Sequence, residues 1–246
     1  VPYVAVTALS HTGLVRDHNE DSLVVGPWTL CGTVTESPQT FLFPLGRPLV
    51  VAVADGLGGQ PAGEVASALV VRRLASLGPS LVGEESVGEA LQLCNGMVYA
   101  AAEGRPELTS MGTTVAGALV LGDSLLAFNI GDSRVYHADK GGLRQVSVDD
   151  SPPPEPGHRT TSLVTQTLGG SRGHNTVTPH MASFPLTGDD RYLLCSDGLT
   201  DPLPDEEIDG LLRVHDDGKA AFELWKAAIE AGGPDNITLA LVRVSA

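Results

Sequence analysis

The stretch Val50-Val51-Ala52-Val53-Ala54-Asp55-Gly56-Leu57-Gly58-Gly59 constrains this chain more than any other. Its five small or β-branched apolar residues predict a short strand buried on both faces. The strand delivers a carboxylate, Asp55, into a turn where three of the next four residues are glycine. Glycine lets backbone approach a ligand closely and adopt positive φ. A carboxylate on a rigid strand, followed by bare backbone, is suited to holding a hard cation. Asp-Gly is also a common turn dipeptide, and on this stretch alone the turn is the better reading.

The same ending recurs elsewhere. Asn129-Ile130 runs into Gly131-Asp132, and Leu194-Cys195-Ser196 runs into Asp197-Gly198. Asp235 stands just before a closing apolar segment, in Gly233-Pro234-Asp235-Asn236-Ile237, and Asn19-Glu20-Asp21 precedes an early one. Antiparallel neighbours put the end of one strand beside the start of the next, so these carboxylates can meet at one sheet edge. Each motif alone is weak. Acids repeated at strand ends beside glycine argue against coincidence. Bare carboxylates there are costly, and bound divalent cations offset that cost. Oxygen donors suit magnesium, manganese or calcium rather than zinc. The seven histidines form no HxxxH pairing and read as surface or core residues; His18 alone lies beside Glu20 and Asp21.

Composition narrows the class. A chain of 246 residues, 42% hydrophobic and 18% charged, has the make-up of a soluble globular protein with an ample core. Its formal charge of −15 argues against nucleic acid as the main partner, because phosphate backbones would be repelled. Cys31, Cys94 and Cys195 are far apart and form no CxxC, which points to a reducing, cytoplasmic setting without disulfides or zinc. No apolar run approaches the ~18 residues of a membrane span, and no signal peptide is visible.

Along the chain, strands are expected at 4–10, 22–26 and 49–54, with helices at 63–77 and 87–101. Residues 113–121, 124–130 and 134–138 read as an antiparallel meander. Strands at 177–184 and 191–195, helices at 206–212 and 220–231, and a closing strand at 237–244 complete the pattern. Residues 28–48, with three prolines and little periodicity, read as a surface insertion, and 151–161 as an irregular proline-rich loop. Strands, two helices, strands, two helices and a strand favour an α+β fold over alternating βαβ units.

With these residues in view, the sequence resembles the metal-dependent PPM, or PP2C-like, protein phosphatases, and most of all their bacterial members. The motifs run in the family's order over nearly the whole chain. They are Thr12-Gly13-Leu14-Val15-Arg16 with Asn19-Glu20-Asp21, Asp55-Gly56-Leu57-Gly58-Gly59, Met111-Gly112-Thr113-Thr114 and Gly131-Asp132-Ser133-Arg134. Asp149-Asp150-Ser151, Ser196-Asp197-Gly198-Leu199-Thr200-Asp201 and Asp235-Asn236-Ile237-Thr238 complete the set.

The resemblance implies a single phosphatase domain over residues 1–246, folded as a four-layer αββα sandwich of two mostly antiparallel sheets flanked by helix pairs. It implies two Mn2+ or Mg2+ ions, with Asp55 bridging them, the Gly56 carbonyl on one, and Asp197 and Asp235 as further ligands. Glu20 and Asp21 match groups holding the second ion or its waters. Asp132 matches a ligand of a third, weaker ion, and Arg16 the arginine that grips the substrate phosphate. The implied reaction is hydrolysis of phosphoserine or phosphothreonine on proteins by a water activated between two cations, reversing a Ser/Thr kinase. Thr113 and Thr114 read as structural, Arg134 as paired with a local acid, and Asn236 as either orienting Asp235 or serving the turn. Two departures stand out. Leu57 replaces the histidine that follows Asp-Gly in animal members, and the flap region at 151–168 is short and proline-rich. A hydrolase acting on small phosphoesters and a non-catalytic scaffold of the same fold remain alternatives.

Overall fold

The computed structural model describes residues 2–59, 61–154, 160–171, 173–188 and 190–245. In chain order the elements are β1 (Tyr3–His11), β2 (Ser22–Val25), β3 (Trp28–Cys31), β4 (Gln39–Pro44), β5 (Leu49–Ala54) and β6 (Gly56–Leu57). Helices α1 (Ala62–Leu77) and α2 (Glu84–Ala102) follow, then β7 (Gly112–Thr113), β8 (Val115–Val120), β9 (Ser124–Ile130), β10 (Arg134–Asp139) and β11 (Gly142–Gln145). Next come β12 (Leu168–Gly169), β13 (His180–Pro185) and β14 (Arg191–Cys195). The chain closes with α3 (Asp197–Thr200), α4 (Asp205–Val214), α5 (Asp217–Glu230) and β15 (Ile237–Ser245).

Strand alternation explains the layering. In β5, Val50, Ala52 and Ala54 face a core shared with α1 and α2, while Val51 and Val53 face a core between two sheets. In β15, Leu239 and Leu241 pack toward α4 and α5, while Ala240, Val242 and Val244 enter the same inter-sheet core. One sheet has the order β11-β10-β14-β15-β1-β4 and the other β13-β9-β8-β5-β2-β3. Every pairing within them is antiparallel. With a helix layer on each outer face, the result is the expected αββα sandwich. A small third sheet, β12-β7-β6, lies beside the end of β5.

Several element readings need correction. Residues 28–48 are not irregular: they carry β3 and β4, each an edge strand of one of the two sheets. Phe41 and Phe43 of β4 pack against the inter-sheet core, but Leu42 between them is 69% exposed. An apolar residue on the solvent face hid the two-residue period. The expected meander also splits. β8 and β9 form a hairpin in one sheet, whereas β10 belongs to the other, so Gly131-Asp132-Ser133 is a crossover between sheets. Gly131 takes φ +96° there. The strand expected at 177–184 starts only at His180. Phe222, Trp225 and Ile229 fall at helical spacing in the helix expected at 220–231. Trp225 and Ile229 pack against the core, but Phe222 lies 37% exposed, and the buried face of α5 is Ala220, Ala221, Leu224 and Ala228. The described part of 151–161 has no regular structure, and residues 155–159, including Pro156 and His158, lie outside the described residues.

The cysteines Cys31, Cys94 and Cys195 are unpaired, and the last two are buried core residues. Among the described residues no helix is long and apolar enough to cross a membrane.

Candidate metal centre

The acid-bearing strand ends meet because glycines let their turns touch. A Cβ on Gly56 would collide with the backbone oxygens of Gly63 and Glu20, so only glycine allows the Asp55 turn to reach Glu20. A Cβ on Gly198 would likewise strike the Asn236 carbonyl, so glycine lets the start of α3, with Asp197, press against Asp235-Asn236. Asp55 itself is held by its peptide groups. Its carbonyl accepts from the Thr113 hydroxyl at 2.7 Å and from the Thr114 N–H at 2.9 Å, and its N–H donates to Thr114 Oγ1 at 3.1 Å. The Thr113-Thr114 pair is therefore structural, as read from the sequence, and its load is the Asp55 peptide.

One cavity of about 200 Å³ is lined by Arg16, His18, Glu20, Asp55, Gly56, Asp132, Asp197 and Asp235, with Leu57, Gly58, Gly59, Ser162, Val164 and Asn236 completing its wall. Seven of the eight expected site residues thus share one space. Asp21 does not line it; it sits behind, 1% exposed, accepting from Ser196 Oγ at 2.8 Å. Arg16 reaches across the mouth to Asp235, Nη2 to Oδ2 2.7 Å. His18 Nε2 lies 2.7 Å from Glu20 Oε1. Asp132 occupies the crossover between the sheets, where nearby Arg134 grips Asp149 through Nε and Nη2, the expected local pairing.

The electrostatics are those of crowded acids. Burial, and then the neighbouring Asp21 and Asp197, hold the Asp55 carboxyl well above its ordinary range. Burial first, then Asp132, Asp201 and Asp235, push Asp197 up to about 8. Burial raises Asp21 to about 7 and Asp132 to about 6. Asp21 Oδ1 and Asp197 Oδ1 are buried without a hydrogen-bond partner among the described residues. Buried oxygens left unpaired are expensive, and divalent cations would satisfy them. The donor set is all oxygen, which fits magnesium or manganese. Among the described residues, no three acidic, His or Cys side chains are yet drawn together so as to hold a cation unaided. In Asp235, Oδ1 accepts from the Asn236 N–H at 2.8 Å and Oδ2 is taken by Arg16.

Sequence reasoning left Asn236 undecided, and the structure gives it a different task. Its Oδ1 accepts from the Glu20 N–H at 2.8 Å, and its Nδ2 donates to the carbonyls of Thr12 at 2.8 Å and His18 at 2.9 Å. It staples the loop carrying Arg16 and Glu20 to the start of β15. Ser196 stands in one of the motifs but was given no role: besides bonding Asp21, its hydroxyl accepts from the Thr238 N–H at 3.0 Å. Its place before Asp197-Gly198 was the available signal. Ser162 and Val164 show that the proline-rich region does reach the cavity.

An αββα sandwich with a pocket of oxygen donors and Arg16 at its wall defines the class. The chain belongs to the protein phosphatase 2C family, whose profile matches residues 43–236. It is 35% identical to the serine/threonine protein phosphatase PstP of Mycobacterium tuberculosis over 252 residues, covering 96% of this chain and 44% of that protein. It therefore spans under half the length of that relative. The serine/threonine phosphatase stp of Listeria welshimeri is 32% identical over 251 residues, with 94% and 92% covered. Among solved structures, the PstP catalytic domain in complex with two manganese ions superposes with a TM-score of 0.79 at 34% identity, covering 99% of this chain and all of that one. The resemblance and the fold read from the sequence are both borne out.

Proposed function

We propose that this chain is a metal-dependent protein-serine/threonine phosphatase. The observation that carries the reading is the gathering of Asp55, Asp132, Asp197, Asp235 and Glu20 around one cavity that Arg16 also lines. Asp55, the Gly56 carbonyl, Asp197 and Asp235 would hold two Mn2+ or Mg2+ ions with help from Glu20 and Asp21, and Asp132 would serve a third, weaker ion. When bound, the ions supply an activated water and neutralise charge on the phosphoryl oxygens. Arg16, on a flexible side chain at the mouth, grips the phosphoryl group and orients it. Asp55, clamped through its own peptide, is the rigid member about which the other carboxylates are ordered. Leu57 lines the cavity and cannot give a proton to the leaving oxygen, so that proton comes from solvent or another wall residue.

The substrates are phosphorylated proteins in the cytoplasm, made by an opposing Ser/Thr kinase. PstP and stp are named as serine/threonine phosphatases, which supports this choice over small phosphoesters. The test is hydrolysis of p-nitrophenyl phosphate and of phosphothreonine peptides with manganese, with EDTA, and after Asp197→Ala. Turnover with manganese that is lost in both controls is expected. Near-normal activity in Asp197→Ala refutes the ligand assignment, and no turnover by the unaltered protein under any divalent ion favours a scaffold.

A further inference from the structure

Arg16 and Asp235, 219 positions apart, meet through one guanidinium nitrogen and one carboxylate oxygen at 2.7 Å. The other oxygen of Asp235 is fixed on the backbone N–H of Asn236, inside the turn that opens β15. Oδ2 is therefore the oxygen that can change partners. Arg16 is free to leave: its side chain is 55% exposed, and that of Asp235 32%. The field around the guanidinium is acidic in any position, since Asp55 and Glu20 act on it as well as Asp235.

We propose that Arg16 and a divalent cation are alternative partners of Asp235 Oδ2, so that metal loading and the release of Arg16 toward the phosphoryl group are one event. This rests on the phosphatase reading above and adds a coupling to it. A cation ligated by that oxygen would sit about 2.1 Å away, in the space the guanidinium nitrogen fills, and the two positive charges repel at such range. An exposed pair is weak enough to be exchanged. By linkage, whatever factor the cation loses in displacing Arg16 is the factor by which it frees that side chain. Metal and phosphate then bind cooperatively, because Arg16 holds either Asp235 or the phosphoryl group and the metal takes Asp235 when Arg16 leaves it.

The test is Mn2+ binding by titration calorimetry to the unaltered chain, Arg16→Gln, Asp235→Asn and the double variant. Removing the competitor should tighten Mn2+ binding about two- to fivefold, the range an exposed ion pair allows. That gain should vanish in the Asp235→Asn background, where there is no pair to break. An unchanged or weaker affinity in Arg16→Gln overturns the proposal. So does an equal gain in both backgrounds, which marks a general charge effect. If Asp235→Asn does not fold or binds no metal, the Arg16 guanidinium NMR signal during Mg2+ titration of the unaltered chain decides. It should shift and exchange faster with water as metal is added, and constancy overturns the proposal. Failure of the unaltered chain to bind Mn2+ at all is distinct, because it removes the phosphatase reading and the competition with it.

Discussion

Replacing Asn236 tests how the site is held together. The side chain is 5% exposed and makes three hydrogen bonds to backbone that is distant in sequence: the N–H of Glu20 and the carbonyls of Thr12 and His18. Net hydrogen bonds are worth about 0.5–1.5 kcal/mol each, so losing three costs about 1.5–4.5 kcal/mol. The lower end applies here, because the loop is near the surface and water can re-enter. The loop also keeps other ties, among them Leu14 N–H to the Gly233 carbonyl at 2.8 Å and Asn19 Nδ2 to Ser10 Oγ at 2.9 Å. For a chain this long, about 2 kcal/mol corresponds to a fall of roughly 4–8 °C in Tm. Asn236→Ala should show that fall by scanning calorimetry. It should also lose about tenfold or more in kcat/KM with p-nitrophenyl phosphate, since Arg16 and Glu20 ride on the loosened loop. Asn236→Asp is the sharper variant. It keeps the acceptor for Glu20 but turns a carboxylate oxygen toward two carbonyls, in a region already crowded with acids, and should be at least as damaging. If Asn236→Ala melts within 1 °C of the unaltered chain and its kcat/KM stays within about twofold, the loop is held by something else.

Further outcomes follow from the same geometry. Asp197→Asn should reduce turnover to background and abolish Mn2+-induced stabilisation. In EDTA it should raise Tm, because it removes one of the mutually repelling acids; a lower Tm there counts against the repulsion. Asp21, Asp132 and Asp197 have folded-state pKa values raised to about 7, 6 and 8, against 3.8 for a free aspartate. Folding in the absence of divalent ions therefore takes up protons, and stability should be lost as pH rises through the window from about 4 to 8. Melting in EDTA at pH 5.5 and 8.0 checks the sign, and a higher Tm at pH 8.0 contradicts it. Thr114→Val removes the acceptor of the Asp55 N–H and the 2.7 Å contact with Ser133 Oγ. About 1–3 kcal/mol of stability should go with it, measurable by urea unfolding, along with a several-fold fall in kcat.

Much of the fold was legible because the interior is sorted by alternation. β5 and β15 send successive residues into different cores, which leaves long apolar runs bounded by Asp and Gly. The edge strands were not legible. β3 and β4 are paired on one side only, and Trp28 and Leu42 lie exposed at 62% and 69%, so burial does not write a period into their sequence. The crossover at Gly131-Asp132 was mistaken for a hairpin for a related reason. A turn dipeptide reports the local bend, and says nothing of which sheet receives the next strand.

The acids were easier to find than the groups that place them. Asp55, Asp197 and Asp132 each follow an apolar strand, so their position at one end of the sandwich is a consequence of strand pairing. Their companions act through backbone from far away in the chain: Asn236 on residues 12, 18 and 20, Thr113 and Thr114 on residue 55, and Ser196 on residue 238. Single small polar residues carry no period and need no metal chemistry, so a sequence gives them away only through the acid beside them. Yet they bear the burden of holding five acidic side chains around a cavity of about 200 Å³ against their own repulsion. That repulsion is what makes cation binding favourable. The polar staples keep the acids from relaxing apart, which would lower the energy of the site and destroy its affinity for metal.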